Sequence, residues 1–318
     1  MRKKHIPASV IKDRSVSAVV SFFRILFIVG LSYLFIFPLF YMVSVALQTP
    51  SSASDPAVVW IPKSISFESI SAVVELMNYF KSMGLTLLIT LGSTFAMLLS
   101  CSLVAYGLSR FNFFGKKIIF ACVILTIIVP PQTVLISSYL NFRFFDFMGI
   151  ISLFNGTGIN LLNTPWTMIL PSVFASGIRA GLFIFIFRQF FSGLPKDLEE
   201  AAFIDGCGTL KTFFSIIVPL AIPAFITVLL FSFVWHWNDL YASSMYFTEQ
   251  IRPLTPTLNS LGTMLNQAVT QASSSLSHFQ IRTYMAAGAL VTVLPPLVLY
   301  IFTQKYFTEG AVRSGIVG

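Results

Sequence analysis

Charge is scarce in this sequence: 12 acidic and 20 basic residues among 318, about a tenth of the chain. A soluble globular domain carries about 25% charged residues. The mean hydropathy of +0.83 points the same way. Too little polar surface exists to cover a water-soluble globule, which excludes an ordinary cytosolic enzyme and a disordered chain. A pI near 9.5 would suit a nucleic-acid binder, but no folded basic patch with interleaved aromatics occurs, so nucleic acid is not an expected partner. Cysteine is equally sparse. Cys101, Cys122 and Cys207 form no CxxC pair, which supports neither a disulfide framework nor a zinc site. His236 lies in an apolar run without a Glu or Cys at metal-ligand spacing, so no metal centre is expected.

What is present is long apolar runs. A bilayer core of about 30 Å needs about 20 apolar residues as helix. Six runs qualify: 25–47, 85–108, 118–140, 166–187, 213–237 and 284–303. They are continuously apolar rather than alternating, so helices are expected and barrel strands are not. The first run is too long for the core of a signal peptide and is expected to be retained. The sequence thus predicts an all-α membrane protein: a basic tail over 1–21, then a six-helix domain over 22–318.

Basic residues in the connections set the expected orientation. With the N-terminus in the cytoplasm, the inside set is Arg2, Lys3, Lys4, Lys12, Arg14, Arg24, Arg110, Lys116, Lys117, Arg188, Lys196, Lys211, Lys305 and Arg313. The outside set is Lys63, Lys81, Arg143, Arg252 and Arg282. Fourteen against five places both termini in the cytoplasm.

Prolines 38, 130, 131, 171, 219, 223, 295 and 296 fall within or at the ends of these runs. Each frees a backbone carbonyl and bends a helix. Arg179 is the one formal charge inside a run. An intramembrane charge is expensive, so it lines a pathway, pairs with a neighbour, or snorkels. It sits within Gly177–Gly181, a GxxxG that would let another helix approach closely. Trp235, Trp237, Asn238 and Asp239 cluster at the end of the fifth run. Aromatic faces and polar neighbours suit sugar binding; interfacial anchoring explains the tryptophans equally well.

Two outside connections are long. The first has apolar residues at 70, 73, 74 and 77, one face of a short helix. The Ser/Thr/Gln-rich stretch 241–282 exceeds what a connection requires and would suit docking.

The connection between the fourth and fifth runs is the informative one. Pro195 suits a helix start, and Asp197, Glu199 and Glu200 complement the positive end of the dipole. Leu198, Ala201, Ala202 and Asp205 lie at i, i+3, i+4 and i+7, one face on which a partner's groove would close. Gly206 or Gly208 is placed to stop the helix. Gly206 to Thr212 faintly echoes a phosphate loop, but Leu210 stands where Gly must precede Lys211. Nucleotide binding by this chain is therefore not expected.

The same connection resembles the signature of permease subunits of ABC importers: Glu-Ala-Ala, three residues, Gly, nine residues, Ile, one residue, Leu-Pro. Here it reads Glu200-Ala201-Ala202, Gly206, Ile216, Val218-Pro219, with Val218 in place of Leu. Ser102 to Phe111, Met285 to Gly288, Leu294-Pro295-Pro296 and Gln304 to Phe307 are similar to other stretches of the family, so the resemblance covers roughly 73–318. The family often has Lys next to the final glycine, where this chain has Val317. The nearest branch looks like the maltose-type carbohydrate importers.

The resemblance implies a type I importer permease in a bacterial or archaeal cytoplasmic membrane. Its short helix would be a coupling helix seated in an ATPase groove. Leu198, Glu200, Ala201, Ala202, Asp205 and Gly206 would carry that contact. The partners implied are a second permease subunit, two ATP-binding subunits that hold the ATP and Mg, and an extracytoplasmic solute-binding protein that delivers a sugar. No catalysis and no cofactor belong to this chain in that reading. The alternative is a self-contained secondary transporter or channel. It is disfavoured because no Asp or Glu lies within any of the six runs, and carriers driven by protons or ions usually need such carboxylates.

Overall fold

The structure, a computed structural model, describes residues 8–49, 64–271 and 276–315. Among these the chain is helical, with one isolated bridge between Phe145 and Ile159. In chain order the helices are α1 (Ala8–Ala46), α2 (Glu68–Leu76), α3 (Tyr79–Arg110), α4 (Lys116–Ile128), α5 (Leu135–Arg143), α6 (Ile150–Asn155), α7 (Trp166–Val173) and α8 (Ala180–Ser192). They continue as α9 (Asp197–Ile204), α10 (Thr209–Thr212), α11 (Val218–Leu220), α12 (Ile222–Trp237), α13 (Tyr241–Tyr246), α14 (Leu254–Gln271) and α15 (His278–Gly315).

Three of the six expected spans are single apolar helices: Val19–Ala46, Tyr79–Arg110 and His278–Gln304. The first of these is the later part of α1, which runs without a break from Ala8 to Ala46. The other three are interrupted. The third is bent by 98° between Ile128 and Pro131. Pro131 forces the residue before it out of the helical region, and Val129 and Pro130 are both extended, with ψ 122° and 130°. The fifth is bent by 81° at Ala221. Pro223 cannot donate to the carbonyl four residues back, and neither can Pro219. Ahead of Pro219, residues Phe213–Ile217 wind as a π-helix, a wider turn that absorbs the missing bond.

The fourth apolar run, 166–187, is divided into α7 and α8 by residues 174–179. Ala175 and Arg179 there have positive φ, 51° and 61°. The expected GxxxG face is therefore absent: Gly177 lies in the break and Gly181 in α8. Each glycine still permits a close approach of its own. A Cβ at Gly177 would fall 2.6 Å from Met97 Cε, and one at Gly181 would fall 2.9 Å from the Val123 carbonyl. The break does not leave its backbone unpaired. Ser176 N–H donates to Pro171 O (2.9 Å), and Ser100 Oγ of α3 donates to Ser172 O (2.7 Å). A neighbouring helix thus satisfies a carbonyl that the broken helix releases.

The chain divides into two compact units, Met1–Ala72 with Val269–Leu290, and Val73–Ala268 with Val291–Gly318. In the first, the apolar side chains of α1, among them Phe22, Phe27, Phe35 and Phe40, are exposed, as suits a helix whose solvent is lipid. Arg282 lies over the rings of Tyr41 (6.0 Å) and Phe279 (5.4 Å). The short helix expected around residues 70–77 is present as α2.

In the second unit α3 is the central element and packs against α7, α8 and α12. Its buried residues include the small side chains Ser82, Thr86, Thr90, Ser93, Thr94, Cys101, Ser102 and Ala105, among the larger Ile89, Met97, Tyr106 and Leu108. The spacing of three to four keeps these on one side, and the small ones let neighbouring backbones come close. Phe183, Phe187 and Phe191 of α8, and Phe213 and Ile217 of the π segment, complete the core.

Candidate functional site

The helix between the fourth and fifth spans forms as α9, Asp197–Ile204. Its first turn carries Asp197, Glu199 and Glu200 at the positive end of the dipole. Gly206 ends it with φ 78°. Gly206 N–H donates to Phe203 O (3.1 Å) and Cys207 N–H to Ala202 O (2.9 Å). That pair of bonds is the Schellman stop, in which glycine takes the left-handed position at little cost. Gly208 is extended at the N-cap position of α10.

Adjacent residues on a helix are about 100° apart, so the two neighbouring glutamates point differently. Glu200, Leu198, Ala201 and Asp205 are exposed, as are Phe203 and Ile204, the last at 87%. Glu199 and Ala202, three residues apart, are buried at 6% and 4%. Of the face expected from the sequence, Leu198, Ala201 and Asp205 are exposed, while Ala202 packs inside the chain.

Glu199 reaches α3. Its Oε1 lies 2.5 Å from Arg110 Nε, and its Oε2 accepts a hydrogen bond from Tyr106 Oη (3.0 Å). Arg110 Nη2 donates to Leu194 O (3.0 Å) in the segment that leads into α9. The Tyr106 ring is held by Phe213 (centroids 5.0 Å), Phe111 (5.8 Å) and Phe191 (6.2 Å). Sequence reasoning missed this trio, having counted Arg110 only as an orienting charge. The available signal was Tyr106 and Arg110 at i and i+4 on the last turns of an apolar helix, with no acidic partner nearby in sequence.

The candidate pathway residues divide. Arg179 is exposed, and its guanidinium lies 5.6 Å from the centroid of the half-buried Trp235 ring. Trp235 is flanked by Phe231 (5.5 Å) and Phe183 (5.6 Å). Trp237, two residues on, is turned to the other side of α12 and is buried at 1%. Its ring stacks on Phe233, and its Nε1 donates to Thr292 O (3.2 Å). Asn238 is exposed. Asp239 accepts a hydrogen bond from Ser243 N–H (2.6 Å) at the start of α13. Burial raises its carboxyl above the ordinary range, and the bonds to Ser243 oppose the rise. Of the five, only Arg179 and Trp235 are brought together. Among the described residues no three His, Cys, Asp or Glu side chains gather as metal ligands.

The stretch 241–282 holds α13 and the amphipathic α14. Leu254, Thr257, Leu261 and Leu265 are the buried face of α14. Leu254 N–H donates to Thr86 Oγ1 (2.8 Å), and Thr255 Oγ1 donates to Trp237 O (2.6 Å).

Residues 97–308 match the family of binding-protein-dependent transport system inner membrane components, and the chain belongs to that family. It is 27% identical over 296 residues to the polygalacturonan/rhamnogalacturonan transport system permease protein YtcP of Bacillus subtilis, covering 92% of this chain and 96% of that one. It is 31% identical to the melibiose/raffinose/stachyose import permease protein MelC of the same organism, covering 88% and 91%. The fold matches a chain in the crystal structure of a bacterial ABC transporter involved in import of the acidic polysaccharide alginate. The TM-score is 0.71 at 20% identity, over 96% of this chain and all of that one. The protein is a membrane-embedded transport permease and not an enzyme.

Proposed function

We propose that this chain is one permease half of an ATP-driven importer for a sugar or oligosaccharide. The carbohydrate reading is supported by the substrates named for YtcP and MelC. In this reading six crossings are made by α1, α3, α4 with α5, α7 with α8, α10 to α12, and α15, with both termini in the cytoplasm. A second permease subunit completes the pathway, and a solute-binding protein outside delivers the sugar. Two ATP-binding subunits hold ATP and Mg and drive alternating access.

The observation that carries the proposal is the open side of α9. Leu198, Phe203 and Ile204 leave apolar surface uncovered beside Glu200, Ala201 and Asp205. Exposed apolar residues rimmed by charge on a rigid helix mark a contact surface. Glu200 supplies the acidic contact, and Ala201 lets the partner's backbone approach. Ala202 packs inward, and the exposed Gly206 ends the helix in its left-handed turn. In the membrane, Arg179 over Trp235 is the pathway candidate. A saccharide would stack on the indole and take hydrogen bonds from the guanidinium.

Glu200→Lys tests the reading. The variant should insert normally but lose both the ATP-binding subunits on co-purification and sugar uptake into vesicles. Full uptake with those subunits still bound would refute the assignment of α9. Uptake by the purified chain without ATP would establish a self-contained carrier instead.

A further inference from the structure

The short helix α9 is tethered loosely in covalent terms. Gly193 lies on the side of α8, and Gly206 and Gly208 lie on the side of α10. Its covalent neighbours are also poor levers. Beyond α8 the chain is interrupted at 174–179, and beyond α10 it winds as a π-helix and then bends by 81°. By contrast, α3 is one unbroken helix of 32 residues, about 48 Å long at 1.5 Å per residue. The link between α9 and α3 is non-covalent: the buried Glu199 carboxylate on Arg110 and Tyr106, with Arg110 also holding Leu194 O.

We propose that Glu199 and Arg110 are positioning residues that transmit movement of α9 to α3, with Tyr106 fixing the carboxylate between them. The proposal rests on the reading of α9 as the ATPase contact. It separates two functions within adjacent residues: Glu200 faces the partner, and Glu199 carries the partner's motion inward. A salt-bridged, hydrogen-bonded carboxylate between rigid elements suits this task because its geometry is directional. Packing alone would let α9 tilt on its flanking glycines without moving α3.

The test uses the full complex, with the second permease and the ATP-binding subunits, in lipid nanodiscs. Cys122 and Cys207 are replaced by serine, and a Phe80→Cys reporter at the far end of α3 carries an environment-sensitive fluorophore. The readout is the fluorescence change on adding ATP and vanadate, with the amount of ATP-binding subunit retained. Glu199→Gln should keep those subunits and reduce the ATP-driven change about tenfold, within the usual range for loss of coupling between sites. Arg110→Lys and Tyr106→Phe should reduce it less, in the same direction. Where Glu199→Gln does not assemble, these two variants decide the question.

An unchanged signal in the assembled variants overturns the proposal. So does loss of the ATP-binding subunits in step with the signal, because Glu199 would then merely seat the docking helix. If Glu200→Lys keeps its ATP-binding subunits while Glu199→Gln loses the signal, the docking assignment of Glu200 fails and the link to α3 stands. If the unsubstituted complex gives no ATP-driven change at the reporter, α3 is not the moving element and the proposal falls on its own.

Discussion

Two arginines at helix ends have opposite surroundings. Arg110 ends α3 in a buried pair with Glu199, with Tyr106 and the Leu194 carbonyl completing the cluster. Arg179 precedes α8 in the open, its guanidinium over the Trp235 ring, on a left-handed backbone that disfavours any residue but glycine. The first is a closed arrangement in which each group answers another. The second is exposed on a strained backbone. The difference separates a guanidinium enclosed by the protein from one exposed beside an aromatic ring.

The largest effect is expected at the closed site. Glu199→Ala leaves Arg110 buried without its carboxylate, which costs about 3–5 kcal/mol when one partner of a buried pair is removed. Thermal unfolding in detergent should show a clear fall in midpoint. An unchanged midpoint would mean that water reaches Arg110 and that the two arginines differ less than their burial indicates.

A smaller effect tests the end of the same helix. Gly206 has φ 78°, and a Cβ there would meet nothing within 4 Å. Gly206→Ala therefore isolates the backbone term, about 1–2 kcal/mol for a left-handed alanine. The midpoint should fall clearly less than in Glu199→Ala. An equal or larger fall would show that the stop of α9, rather than the Glu199 pair, governs the seating of the helix.

The sequence revealed these features unevenly, for reasons of range. The start and stop of α9 are encoded locally, in Asp197 to Glu200 and in Gly206, and could be read within ten residues. The proline positions signalled where the third and fifth spans bend. The break at 174–179 depends on left-handed Ala175 and Arg179, residue types that give no such signal. The Glu199–Arg110 pair joins positions 89 apart, so helical periodicity carries no information about it. The inward turn of Ala202, the one residue of the expected α9 face that is buried, could not be read locally for the same reason: it depends on the packing of α9 against the rest of the chain. Trp235 and Trp237 looked like one cluster in the chain, yet a separation of about 200° around α12 sends them to different neighbours.

The smallest effect on stability is expected at the open arginine, and there it is most informative. At φ 61°, an arginine costs about 1–2 kcal/mol relative to an unstrained backbone. Glycine at this position would relieve that strain, lose an exposed cation–π contact of about 0.5–1 kcal/mol, and gain chain entropy when unfolded. The terms nearly cancel, so Arg179→Gly should shift stability by no more than about 1 kcal/mol. Sugar uptake should nevertheless fall, with ATP-binding subunits still attached. Such a split would place the guanidinium on the substrate's route, because neither packing nor assembly would explain the loss. Normal uptake would remove Arg179 from the pathway and leave Trp235 as an aromatic packed between Phe231 and Phe183.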